Sequence, residues 1–143
     1  MFFGRLARPL CAVILNPTCV EGAMKFLCLA YGDEKDWKAL SKAEQDDMLA
    51  ADEALRRRGA LMAAVKTKVA TVTAWDGEPR TTEGPFANLA VPLAGFSVIE
   101  AANVEEAVRL VVGTPCARAR GAIEIRPILA INDERIGKSL SRD

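Results

Sequence analysis

The stretch "MKFLCLAY", Met24 to Tyr31, decides the reading of this chain. It is nearly continuous apolar sequence, ended abruptly by "GDE" at Gly32 to Glu34. A run of this length bounded by a turn signal is a strand buried on both faces. Side chains alternate along a strand, so Phe26, Cys28 and Ala30 share one face and Leu27, Leu29 and Tyr31 the other. Helices of the same chain can cover one of these faces. The other calls for a second layer, and a second copy of the chain is the simplest source.

Outward from this strand, Ser41-Lys42-Ala43-Glu44 forms a capping box, which predicts a helix running to about Arg58. Met48, Ala51 and Leu55 make its inner stripe, while Asp46, Glu53 and Arg57 face water. "ALMAAV" (Ala60–Val65) and "KVATVTAW" (Lys68–Trp75) read as strands. Asp76-Gly77 is a hairpin signal leading into a short strand near Arg80 to Thr82. "LAGFSVIEA" (Leu93–Ala101) is another strand. Asn103 and Glu106 then open a helix carrying Val104, Ala107, Val108 and Val111 at helical spacing, which "GTP" at Gly113 to Pro115 stops. "GAIEIRPI" (Gly121–Ile128) is the last strand. Short connections and right-handed crossovers turn this order into a ferredoxin-like α+β sandwich, an antiparallel sheet with two helices on one face. Two such sheets meeting about a two-fold axis give a dimeric α/β-barrel.

Composition sets the limits of function. The chain has 143 residues, half of them hydrophobic, so one domain can build its core without disulfides. Its 19 basic and 19 acidic side chains cancel, which argues against a nucleic-acid surface. No histidine is present, so a histidine general base, a Ser-His-Asp triad and a histidine-ligated metal are all excluded. Cys11, Cys19, Cys28 and Cys116 contain no CxxC pair or zinc spacing; Cys28 reads as a small core hydrophobe. A reducing, cytoplasmic setting is expected, with no cofactor, since the chain has neither a GxGxxG nor a Walker loop. Residues 1–23 read as an upstream extension before a start at Met24, residues 24–130 as the domain, and residues 131–143 as a polar tail. The apolar run Leu10–Leu15 is too short for a secretory leader or a membrane span.

Candidate chemistry gathers at strand ends and on the last strand. Alternation places Ile123, Ile125 and Pro127 on one face of that strand and Ala122, Glu124, Arg126 and Ile128 on the other. Glu124 and Arg126 then enter the space beside the sheet, either as an ion pair that fixes a dimer seam or as an anion clamp. Asp33, Glu34 and Asp36 follow the first strand, and Glu83 opens "EGPF". Two of these carboxylates held close together would leave one proton poised near neutrality, which makes Asp33 and Glu83 the candidate acid and base. Tyr31 brings a hydroxyl to the same region, and Arg118 and Arg120 either gate it or stay in solvent.

"MKFLCLAYGDE", "EGPF", "LAGFSVIEA" and "PCARARGAIEIRPI" together resemble the YCII-related proteins, specifically their DGPF branch, over Met24 to about Ile128. The resemblance implies a dimeric ferredoxin-like barrel and a motif acid at Glu83, where the branch usually has Asp. In that motif Gly84 allows an unusual backbone angle, Pro85 stiffens the loop and Phe86 can plug it into the core. Glu83 is then held either as a ligand contact or as a loop-closing hydrogen-bond acceptor. Enzymatic relatives are thought to pair a His with an Asp. Where the branch commonly reads "RHG", this chain has Arg120-Gly121, and arginine is a poor general base. Genes of the branch often lie beside those for alternative sigma factors, which bears on regulation. The expected protein is a homodimer binding a small anionic molecule through Tyr31, Phe86, Arg120, Glu124 and Arg126. A cofactor-free isomerase or lyase and a plain dimeric scaffold are the alternatives. No nucleic acid or membrane partner is expected.

Overall fold

The computed structural model describes residues 23–131, so the upstream extension and nearly all of the polar tail lie outside the described residues. Strand β1 (Met24–Tyr31) leads through a short helix α1 (Glu34–Lys38) into the long helix α2 (Lys42–Arg57). Strands β2 (Leu61–Ala64), β3 (Ala70–Thr73), β4 (Arg80–Glu83) and β5 (Leu93–Ala101) follow. Helix α3 (Val104–Val111), a one-turn helix α4 (Pro115–Arg118) and strand β6 (Ala122–Pro127) complete the order. The main sheet runs β2-β5-β1-β6 and is antiparallel throughout. With β3 and β4 set aside as a separate two-stranded sheet, this is the ferredoxin-like α+β sandwich expected from the sequence.

Local chemistry explains the element ends. The Ser41 hydroxyl accepts from the Glu44 amide (3.2 Å) and the Glu44 carboxylate accepts from the Ser41 amide (2.8 Å), closing the capping box of α2. Asn103 caps α3 by accepting from the Glu106 amide at 2.8 Å, and Glu106 reaches back to the Ala102 amide at 2.9 Å. The Asp-Gly turn takes left-handed angles at both residues, Asp76 with φ 55° and Gly77 with φ 77°, as a type I′ hairpin turn requires.

The core lies between the sheet and the helices, formed by Phe26 and Cys28 of β1, Leu55 of α2, Ile99 and Ala101 of β5, and Ala107 and Val111 of α3. Phe26 and Cys28 are buried as their alternation demands, while Leu27, Leu29 and Tyr31 on the opposite face are only half-buried. On α3 the apolar set divides. Its buried arc runs through Ala107, Leu110 and Val111, leaving Val104 and Val108 exposed on the flank. The acids after β1 also need correction, because "GDE" is not a simple loop. Asp33 accepts from the Lys35 amide (3.0 Å) as the N-cap of α1, and Glu34 pairs with Lys38 at 3.1 Å.

Candidate functional site

Strand register assembles the face of the sheet that lacks helices. Leu27 of β1 stands between Val98 of β5 and Arg126 of β6, and Leu29 stands between Phe96 and Glu124. Leu61 of β2 lies opposite Val98 and continues the apolar surface to the far edge. At the β6 edge the Tyr31 hydroxyl donates to one oxygen of Glu124 at 3.2 Å, and the Arg126 guanidinium donates to the other at 3.0 Å. Glu124 therefore links a phenol and a guanidinium at one end of a face whose middle is apolar and whose other end carries the cross-strand pair Lys25 and Glu100. The Tyr31 phenol is pushed above its usual range by partial burial, and then by its hydrogen bond to Glu124 and that carboxylate's charge. A phenol held protonated in this way is a donor. The arginine head stays largely open to solvent, with donors to spare for an anion.

A second feature opens where β1 ends. A cleft of about 740 Å³ is bounded by Asp33, Trp37, Leu49, Val65, Leu93 and Cys116. Its walls are mostly apolar. Asp33 borders it, although the cap it forms on α1 already engages one carboxylate oxygen. Trp37 and Cys116 carried no signal in the sequence, because each belongs to a helix of one turn or little more.

The remaining candidates lie apart from both. Glu83 ends β4 opposite Ala70 in the small sheet, on a different element from Asp33, and no hydrogen bond or ion pair among the described residues joins the two acids. Gly84 has φ 102°, the unusual angle expected there. Its amide donates to the Val69 carbonyl (2.8 Å) and its carbonyl accepts from the Thr71 hydroxyl (2.7 Å). The loop is thus closed by the backbone of Gly84, not by the carboxylate of Glu83. Phe86 is 77% exposed and plugs no core within the single chain. It follows the end of β4, whose small sheet pairs with no strand of the main one. Arg120 sits at φ 61° two residues before β6 and is exposed, while Arg118 is tied across to Asp47 of α2 at 2.6 Å. Of these candidates, the structure brings together Tyr31, Glu124 and Arg126.

Such a βαββαβ sheet with its helices on one face defines a ferredoxin-like α+β protein. The family model of the YCII-related domain matches residues 24–132, and the chain belongs to that family. No curated protein matches it. Among the described residues no helix is long and apolar enough to cross a membrane, and no group of three or more Cys, Asp or Glu side chains is placed to hold a metal ion.

Proposed function

We propose that this YCII-related protein is a homodimer that binds a small anionic molecule in the space enclosed when two bare sheet faces meet. The observation that carries this reading is the Tyr31–Glu124–Arg126 cluster, set beside the apolar side chains Leu27, Leu29, Phe96, Val98 and Leu61 of the same face, with Lys25 and Glu100 at its far end. An apolar sheet face left in water is unfavourable, and its two-fold pairing with a second copy removes it. Inside that layer Arg126 offers N–H groups beyond the one given to Glu124, and Tyr31 keeps Glu124 oriented. A binding module of this kind suits a role in transcriptional regulation, and the absence of any histidine weighs against acid-base turnover.

Sedimentation equilibrium and thermal shift on the full chain test this together. Wild type should sediment as a dimer, and Leu29→Arg should give a folded monomer. An anion from a panel of small carboxylates and phosphates, present at 100 times its Kd, should stabilise wild type by about 2.7 kcal/mol. Arg126→Ala should stay dimeric and lose that shift. A monomeric wild type, or an anion shift that survives Arg126→Ala, would sink the reading.

A further inference from the structure

The helix-covered face of the sheet holds a cavity of its own. Across the strands, Phe26 pairs with Ile99, Cys28 with Ser97, and Ala30 with Gly95, while Met62 and Ala64 of β2 continue the last two rows. Side-chain size thus falls from row to row along β1, from Phe and Ile, through Cys, Ser and Met, to Ala, Gly and Ala. Asp52, Leu55 and Arg56 of α2 and Val111, Thr114 and Cys116 beyond it face the smaller rows, and a void lies between them and the sheet. Its volume is about 270 Å³, just under the roughly 300–1,000 Å³ of small-molecule sites.

The polar groups of this void are unequal. Thr114 already donates to the Val111 carbonyl at 2.6 Å. The Cys28 and Cys116 thiols are held neutral, their pKa values raised chiefly by burial. Asp52, projecting from α2, has no hydrogen-bond or ion-pair partner among the described residues. Arg56, one turn on and also at the void, is paired with Glu53 instead. The remaining walls include Leu55, Met62, Val111 and Ile123. Asp52 thus faces a largely apolar chamber half-buried, with the charge of Arg56 near it but no direct partner, and a carboxylate so placed suits a cation on an apolar body.

We propose that this inner cavity is a binding site for a small alkylammonium compound, its ammonium on Asp52 and its chain against Leu55, Met62 and Val111. The site lies on the opposite side of the sheet from Tyr31, Glu124 and Arg126 and does not depend on them. It shares Ala64, Ala94, Pro115 and Cys116 with the outer cleft, which gives a ligand a route inward.

Titration of the full-length ¹⁵N-labelled protein with n-butylammonium and with its neutral isostere 1-butanol, followed by amide shifts, tests the proposal. The ammonium should bind about tenfold more tightly than the alcohol, with shifts centred on Cys28, Ala64 and Ser97. Asp52→Asn should erase the difference between the two probes. Ala64→Leu, which fills the void, should abolish both. Equal affinity of the two probes for wild type, undiminished ammonium binding to Asp52→Asn, or the absence of any saturable shift overturns it. So do shifts confined to Trp37 and Leu49 of the outer cleft.

Discussion

Gly121 lies so close to Tyr31 that a β-carbon on it would stand 2.0 Å from the Tyr31 carbonyl oxygen and 2.6 Å from that of Cys116. The approach seats β6 against β1 with Ala122 opposite Tyr31, and that register places Glu124 within reach of the Tyr31 hydroxyl. Both obstructing atoms are backbone and cannot swing aside. Gly121→Ala should therefore cost about 1–3 kcal/mol, towards the upper end, measured by urea denaturation. Tyr31→Phe removes only one exposed hydrogen bond and should cost about 1 kcal/mol or less. A Gly121→Ala protein as stable as wild type would show that β6 is less tightly seated.

The capping box of α2 makes a second prediction. Ser41→Ala removes the acceptor for the Glu44 amide and should cost about 1 kcal/mol. Glu44 is held below its usual carboxylate range by hydrogen bonds from the Ser41 backbone and side chain. A carboxylate depressed in the folded state stabilises above its unfolded value of 4.5, and that contribution is lost as pH falls through the folded value. Ser41→Ala should flatten this acid-limb loss in a pH series of melting temperatures.

Asp52 should behave oppositely. Burial raises its pKa, with Arg56 offsetting part of the effect, so the folded protein holds this proton more tightly than the unfolded chain. Stability contributed by the protonated form is present below the unfolded value of 3.8 and is lost as pH rises through the folded one. Asp52→Asn should then raise the melting temperature at pH 7, by an amount that shrinks as the buffer approaches the unfolded value. A variant less stable than wild type at pH 7 would mean that the attraction of Arg56 outweighs the burial of Asp52.

The hairpin offers a local test. A β-carbon on Gly84 meets nothing within 4 Å, so Gly84→Ala is penalised by its φ of 102° alone. The cost should be about 1–2 kcal/mol. Because β3 and β4 form their own sheet, hydrogen exchange should quicken at Thr71, Val72 and Thr82 and leave β1 and β5 unchanged. Thr71→Val, which loses the hydrogen bond to the Gly84 carbonyl, should act in the same place and more weakly.

Much of the architecture was legible because its signals are local. Ser41 with Glu44, Asn103 with Glu106, and Asp76 with Gly77 mark their boundaries within a few residues, and the apolar runs of β1 and β5 are long enough to stand out. The two short helices were not legible, since a single turn shows no periodicity, and Asp33 therefore read as a candidate acid at a strand end rather than as a cap. Tyr31, Glu124 and Arg126 could be named from alternation, yet the bond between Tyr31 and Glu124 spans 93 residues and depends on a register that only pairing sets. Phe86 was misplaced because a ring after Gly-Pro suggests an anchor, and nothing local reveals that its hairpin stands apart from the core. Asp52 gave no warning at all, for an acid on the flank of an amphipathic helix looks like any solvated one.

The row formed by Ala30, Gly95 and Ala64 also governs how this fold can diverge. A β-carbon on Gly95 would lie 2.4 Å from the Ala63 carbonyl oxygen, so the centre of the row is locked. Its two flanking alanines both line the chamber, so a larger side chain at either position would project into it. Chamber size is thereby a dial with two free settings and one fixed stop. Single changes at residues 30 and 64 could retune what fits beneath α2 while the helix and the strand pairing stay where they are.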